Sequence, residues 1–270
     1  MSYPSKTISI ATSIMLFLIA LALEQIYDVI ILYGTIPTWF YQVLFLSIPC
    51  ISLIAFGLLI KLTKSNFKKQ GYKKPAGINT PRCILLGIFF VIIYLSIILA
   101  QGFFGNLGSL NLPTTPYLLM LRIAIAIVYG FFSESVFRGY IFRNLTRHYG
   151  LFTSLYASSI LFSLHKISIR EIPSITADPI FYIFTRIVPL LAAGLFLGFF
   201  FYKIRWSLLG PLIFRIGFLL FFEPTPLISA TSPWWIALAF EMAAFAVLIL
   251  LADSIIKEPR YRRKRYGLEE

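Results

Sequence analysis

Charge is scarce in this chain, and negative charge most of all. Only 11 Asp and Glu stand against 24 Lys and Arg in 270 residues, and charged residues make up 13% of the whole. A soluble domain carries about 25% charged residues, so a water-soluble globular fold is excluded. Cysteine is nearly absent: Cys50 and Cys83 both lie in apolar runs, and no CxxC occurs. That removes a disulfide framework and a zinc ribbon. Histidine is limited to His148 and His165, too few for a multi-histidine metal site. The 16 Gly and 15 Pro follow no period, which excludes collagen-like and low-complexity classes. What fills the chain is apolar: 59% hydrophobic residues and a mean hydropathy of +0.83. Eight membrane helices of about 20 residues would use roughly 160 residues, close to the apolar content present.

Eight apolar runs are bounded at roughly 7–33, 38–62, 83–104, 117–143, 151–170, 179–203, 206–222 and 233–256. The expectation is an all-α polytopic membrane protein of about eight transmembrane helices, one integral membrane domain over 1–270. The first run is too long for a signal peptide, and no small-x-small cleavage site follows it. Basic residues orient the bundle. The linker 63–82 and its edges hold Lys61, Lys64, Lys68, Lys69, Lys73, Lys74 and Arg82 without an acid. Placed in the cytoplasm, this segment brings Lys6, Arg143, Arg147, Lys203, Arg205 and the basic tail 257–270 to the same side. That side then holds 18 of the 24 basic residues, and the opposite side holds Lys166 and Arg170. The positive-inside rule therefore predicts a multi-pass cell-membrane protein with both termini cytoplasmic. The same charges point to anionic headgroups of the bilayer as partner, not to nucleic acid. The segments 105–116 and 223–232 are short turn-forming connections.

Charges also lie inside the apolar runs: Arg122, Arg138, Arg186 and Arg215 on one side of the ledger, Glu24, Asp28, Glu134 and Glu241 on the other. A charge at mid-membrane costs about 2.5–3.5 kcal/mol on insertion scales, so internal pairing of the four with the four is expected. Pro49, Pro189 and Pro211 each remove a backbone donor and can kink a helix. Gly194 and Gly198 form a GxxxG pair that suits close helix packing.

The informative stretch is FFSESVFRGY at 131–140, where Glu134 and Arg138 share one helical face at i,i+4. The next helix carries LFSLHK, with His165 in its far half. Alone, His165 would be a hydrogen-bonded packing residue; beside a Glu/Arg helix it becomes a candidate site residue. Counting from Arg143, Glu134 lies roughly 13 Å deep, and counting from Leu151, His165 lies roughly 21 Å deep. This places Glu134 and Arg215 at one level and His165 away from them.

These residues resemble the CPBP intramembrane proteases, which include the CAAX-processing endopeptidases and bacteriocin-processing relatives. The resemblance spans about 117–222. The family's first motif, two acids, three residues and Arg-Gly, reads Ser133-Glu134-Ser135-Val136-Phe137-Arg138-Gly139 here. The second, an apolar stretch with Phe ending in His, reads Leu161-Phe162-Ser163-Leu164-His165, its Phe displaced by one place. The third has a Ser-apolar-Pro lead-in at Ser207–Pro211, followed by Arg215 and Leu219 where the family has His and Asn. The resemblance implies a CAAX-protease-like helical bundle in which the first acid and the second-motif His activate water, and the third-motif His and Asn bind the oxyanion. This chain keeps Glu134, Arg138 and His165 and lacks the first acid, the second His and the Asn.

The chemistry of the replacements favours a catalytically degenerate member, a binding or assembly module for membrane proteins or lipids. Ser133 is no base at neutral pH, Leu219 donates no hydrogen bond, and Arg215 has no lone pair for a metal. Neither metal nor other cofactor is expected, since one His and one Glu fall short of three protein ligands. The alternative is an active intramembrane endopeptidase acting on hydrophobic or prenylated peptides. There Glu134 and His165 would activate water and Arg215 would hold the oxyanion. A third reading makes Ser133 and His165 a nucleophile–base dyad.

Overall fold

The computed structural model describes residues 6–33, scattered positions of 47–61, 80–101, 106–110, 116–167, 171–222, 228–231 and 233–256. Within them the chain is helical: α1 (Lys6–Tyr33), α2 (Thr80–Gln101), α3 (Pro116–Glu134), α4 (Arg143–Tyr149), α5 (Leu151–His165), α6 (Ile172–Ala177), α7 (Pro179–Tyr182), α8 (Val188–Lys203), α9 (Leu209–Phe222) and α10 (Trp234–Ile255). The expected all-α class misses one detail. Asn106–Leu110 and Ile228–Thr231 pair as an antiparallel ribbon, β1–β2, so the connections after α2 and α9 are joined. The basic linker and tail, and most of the run 38–62, lie outside the described residues.

Four stretches are long and apolar enough to cross a membrane: Thr80–Gln101, Leu119–Tyr149, Pro179–Lys203 and Trp234–Ile255. Shorter apolar helices cover Ile10–Ala22, Leu151–His165 and Leu209–Phe221. Large apolar side chains such as Leu85, Met120, Phe152, Ile180 and Leu250 are exposed, an outside suited to lipid chains and not to water.

Two long helices are not α-helical throughout. Ser135–Phe142 is a π segment that links α3 to α4, and Ile183–Ile187 is another that links α7 to α8. The second has a local cause. Pro189 lacks the N–H that would bond the Thr185 carbonyl, and just ahead of it the Val188 N–H reaches back five residues to Ile183. Pro211 does not kink its helix as expected. It occupies the first turn of α9, where a missing donor costs nothing.

Aromatic packing builds the core. Phe90 and Tyr94 of α2, Phe196 and Phe200 of α8, Phe214 of α9 and Phe245 of α10 form one buried cluster. The Phe90 ring meets Phe200 edge-on at 4.9 Å between centroids, and Phe196 meets Phe214 at the same separation. A second cluster joins Leu16 and Ala20 of α1, Phe56, and Phe132, Val136, Phe137, Tyr140 and Phe162 around the first π segment. The Gly194/Gly198 pair presses α8 on α5: a methyl at 194 would lie 2.9 Å from Ser159 Cβ.

The turn between α8 and α9 carries strain. Arg205 and Trp206 are consecutive non-glycine residues with φ of 61° and 63°, a conformation that costs of order 1–3 kcal/mol per residue. It is held by Arg205 N–H donating to Tyr202 O at 3.0 Å and Trp206 N–H to Phe201 O at 2.9 Å. Burial of the Trp206 ring against Phe142, Phe201 and Tyr202 adds to the hold.

Candidate functional site

Glu134 ends α3, and Arg138 lies one turn on, inside the π segment. Both are buried, at 1% and 0% exposure. Arg138 Nε lies 3.7 Å from Glu134 Oε2. That is an ion pair beyond hydrogen-bond range. Both Glu134 oxygens lie out of hydrogen-bond reach of the described protein donors. Arg138 is fixed from three sides: by Glu134, by Nη2 donating to the Gly194 carbonyl of α8 at 3.2 Å, and by the Phe162 ring of α5 at 4.2 Å from Cζ. The missing side chain at Gly194 and its tight seat on Ser159 place that carbonyl close enough to accept.

Arg215 enters from α9, also with no exposed surface. Its Cζ lies 5.2 Å from the Phe162 ring and 5.2 Å from the Phe218 ring. It acts electrostatically on Glu134, less strongly than Arg138 does, and on Arg138 itself. One carboxylate therefore faces two guanidiniums, and both guanidiniums share the quadrupole of Phe162. Glu134, Arg138 and Arg215 thus come together as a charge cluster across α3, the π segment and α9.

His165 closes α5 and is fully buried. Its ring lies 5.1 Å from Phe137 and 6.3 Å from Phe132, residues on either side of Glu134 in the chain. The depth expected from residue counting is corrected here. The helix bearing Glu134 does not end at Arg143 but continues through α4 to Tyr149. Glu134 is thus sixteen residues from Gly150, roughly 24 Å at 1.5 Å per residue, against roughly 21 Å for His165 from Leu151. The two lie at one level.

Ser133 and Leu219 face other tasks. The Ser133 hydroxyl donates to the Gly130 carbonyl at 3.2 Å, back-bonding within its own helix. A nucleophile would direct that proton to the imidazole, so the Ser133–His165 dyad is not what the geometry supports. Leu219 is buried in an apolar cluster with Ala126 and Tyr129, where α9 crosses α3. Among the described residues, no three of His, Cys, Asp and Glu gather as a metal site would need.

Residues 115–221 match the family model described as type II CAAX prenyl endopeptidase Rce1-like. The matched segment runs from the start of α3 almost to the end of α9 and holds every residue of the cluster. The resemblance of the motif remnants to the CPBP family is thus shown over this core. No curated protein matches the chain.

Sequence reasoning missed two parts of the Rce1-like core. Phe162, quoted only as a displaced motif residue, is the ring both guanidiniums use. Gly194, read as packing, also supplies the acceptor for Arg138. The ion-pair expectation needs correcting as well. Arg186 pairs with Glu171, counted among neither set, through Nη2 at 2.8 Å and Nε at 3.0 Å. Tyr182 donates to the same carboxylate at 2.7 Å. The side chains of Glu24 and Asp28 lie outside the description.

Proposed function

We propose that this chain is a multi-pass cell-membrane protein of about eight transmembrane helices, both termini cytoplasmic. In this reading its Rce1-like core has lost hydrolytic competence and serves as a binding or assembly module for membrane proteins or lipids. The observation that carries it is the engagement of Glu134 by two guanidiniums. A general base must be free to take a proton at the operating pH. The Glu134 carboxylate instead faces the Arg138 guanidinium at 3.7 Å, with Arg215 in electrostatic range, and is engaged as an ion-pair partner. Ser133, spent on its own helix, and Leu219, spent on apolar packing, supply neither base nor oxyanion donor.

The test is cleavage of a prenylated CAAX-type peptide by the purified protein. Turnover no higher than that of a Glu134→Ala control is expected. Loss of one oxyanion donor costs on the order of 10²–10³ in rate, and loss of a positioned base roughly 10²–10⁴. Rebuilding the family pattern with Ser133→Glu, Arg215→His and Leu219→Asn should raise the rate. The endopeptidase reading is favoured by one observation, the level placement of His165 beside the Glu134 turn. Robust cleavage by the unmodified protein, abolished by Glu134→Ala or His165→Ala, would establish it.

A further inference from the structure

We propose that Glu134 and Arg138 bind a single internal water molecule that bridges the carboxylate and the guanidinium. This water is a structural ligand, and it is held whether or not the core hydrolyses peptides.

An Arg–carboxylate pair in direct contact closes to about 2.7–2.9 Å. Here Arg138 Nε stands 3.7 Å from Glu134 Oε2. Among the described residues, Oε1 and Oε2 of Glu134 and Nε and Nη1 of Arg138 meet no hydrogen-bond partner. Both side chains are buried. Arg138 is not free to swing onto the carboxylate. Its Nη2 donates to the Gly194 carbonyl of α8 at 3.2 Å, and its Cζ lies 4.2 Å from the Phe162 ring of α5. A guanidinium moved toward Glu134 would weaken both contacts. Buried polar groups are satisfied by protein or by ordered water, and a polar contact longer than 3.5 Å is where a bridging water belongs.

The chemistry of the two groups selects the ligand. An ionised carboxylate only accepts hydrogen bonds, and a guanidinium only donates them. The bridging molecule must therefore donate to one and accept from the other. An anion is repelled by Glu134 and a cation by Arg138. Water is neutral, does both, and is small enough for a site set among the buried side chains of Phe132, Val136, Phe137 and Phe162. At about 2.8–3.0 Å from each partner, it spans the 3.7 Å separation from the side. One proton goes to Oε2 and one lone pair accepts from Nε, two of the 2–4 bonds a buried water makes. A lone pair committed to a guanidinium N–H makes a poor nucleophile. That sets this water apart from one activated by an acid and an imidazole.

The experiment is X-ray radiolytic labelling of the full chain purified in neutral detergent, read by mass spectrometry. Radiolysis of a bound water makes hydroxyl radicals that oxidise the side chain beside it. Phe162 and Phe90 are the probes. Both are fully buried, the first on Arg138 and the second in the aromatic core against Phe196 and Phe200. Phe162 should be oxidised several times faster than Phe90, and equal rates would overturn the proposal. Glu134→Leu combined with Arg138→Met removes both partners of the water and should bring Phe162 down to the Phe90 rate. A folded double variant that keeps the fast Phe162 rate would also overturn it, because other groups would then hold the water. If the double variant fails to fold, a structure of the unmodified chain at a resolution that shows ordered water decides. A density peak about 2.7–3.2 Å from both Oε2 and Nε is expected, and the absence of that peak would overturn the proposal.

Discussion

Glu134 is the acid this chain keeps in the matched motif, and it lies against guanidiniums. Its carboxylate stands 3.7 Å from Arg138, with Arg215 in electrostatic range, and all three side chains are buried. Removing one member of a buried ion pair leaves the other uncompensated and costs about 3–5 kcal/mol, whereas removing both is far cheaper. Glu134→Gln is therefore expected to lower the thermal unfolding midpoint in detergent sharply, because two like charges would remain against one ring. Glu134→Gln combined with Arg138→Met should recover a large part of that loss, as coupled residues do in a double-mutant cycle. Single and double variants that melt with the wild type would show that the pair contributes nothing. The sequence carried the pair itself, since i,i+4 spacing on an apolar helix leaves little choice. It did not carry Phe162 as the shared ring or the Gly194 carbonyl as acceptor. Both belong to other helices, and only the packing of α5 and α8 brings them to Arg138.

At the scale of elements, the close approach of α5 and α8 was legible and its consequence was not. Gly194 and Gly198 announce a small-residue seam, and the structure seats them on Ser159 and Leu155. Gly194→Val would force its side chain on Ser159 Cβ and Cα, at 2.9 and 3.1 Å from the first added carbon. Backbone on both sides cannot yield, so a loss of about 1–3 kcal/mol is expected in thermal unfolding. An unchanged melt would mean the seam opens freely. The π segments had no readable sign except Pro189, since no residue type demands an extra residue per turn at 135–142. The strained turn was hidden for the same reason: Arg and Trp are poor predictors of positive φ. Arg205→Gly should relieve the steric penalty at φ 61° and stabilise the turn by roughly 1 kcal/mol. A destabilised Arg205→Gly protein would place the energy of this turn in the arginine side chain instead of its backbone.

For the whole molecule, composition points to a helical membrane protein, and charge asymmetry is the basis of the proposed orientation. Helix ends were the weak point of the reading. The run 117–143 continues as helix to Tyr149, because Asn144, Thr146 and Arg147 are polar residues that a helix tolerates once it leaves the apolar layer. Thr146 even returns its hydroxyl proton to the Phe142 carbonyl at 2.7 Å. That one misplaced boundary displaced His165 from its proper level relative to Glu134. The orientation rests on a different and stronger signal. Lys203 and its partner Asp253 bring the ends of α8 and α10 together at the end where Arg143, Arg147 and Arg205 lie, and the opposite end carries Lys166, whose ammonium donates to the Tyr129 hydroxyl at 2.7 Å. Basic residues resist translocation, so the arginine-rich end should face the cytoplasm. Single cysteines placed in 63–82 and in 105–116, in a background lacking Cys50 and Cys83, should label from opposite sides of intact cells with a membrane-impermeant maleimide. Reagent outside the cell should reach only the 105–116 positions. Labelling of both segments from one side would overturn the orientation.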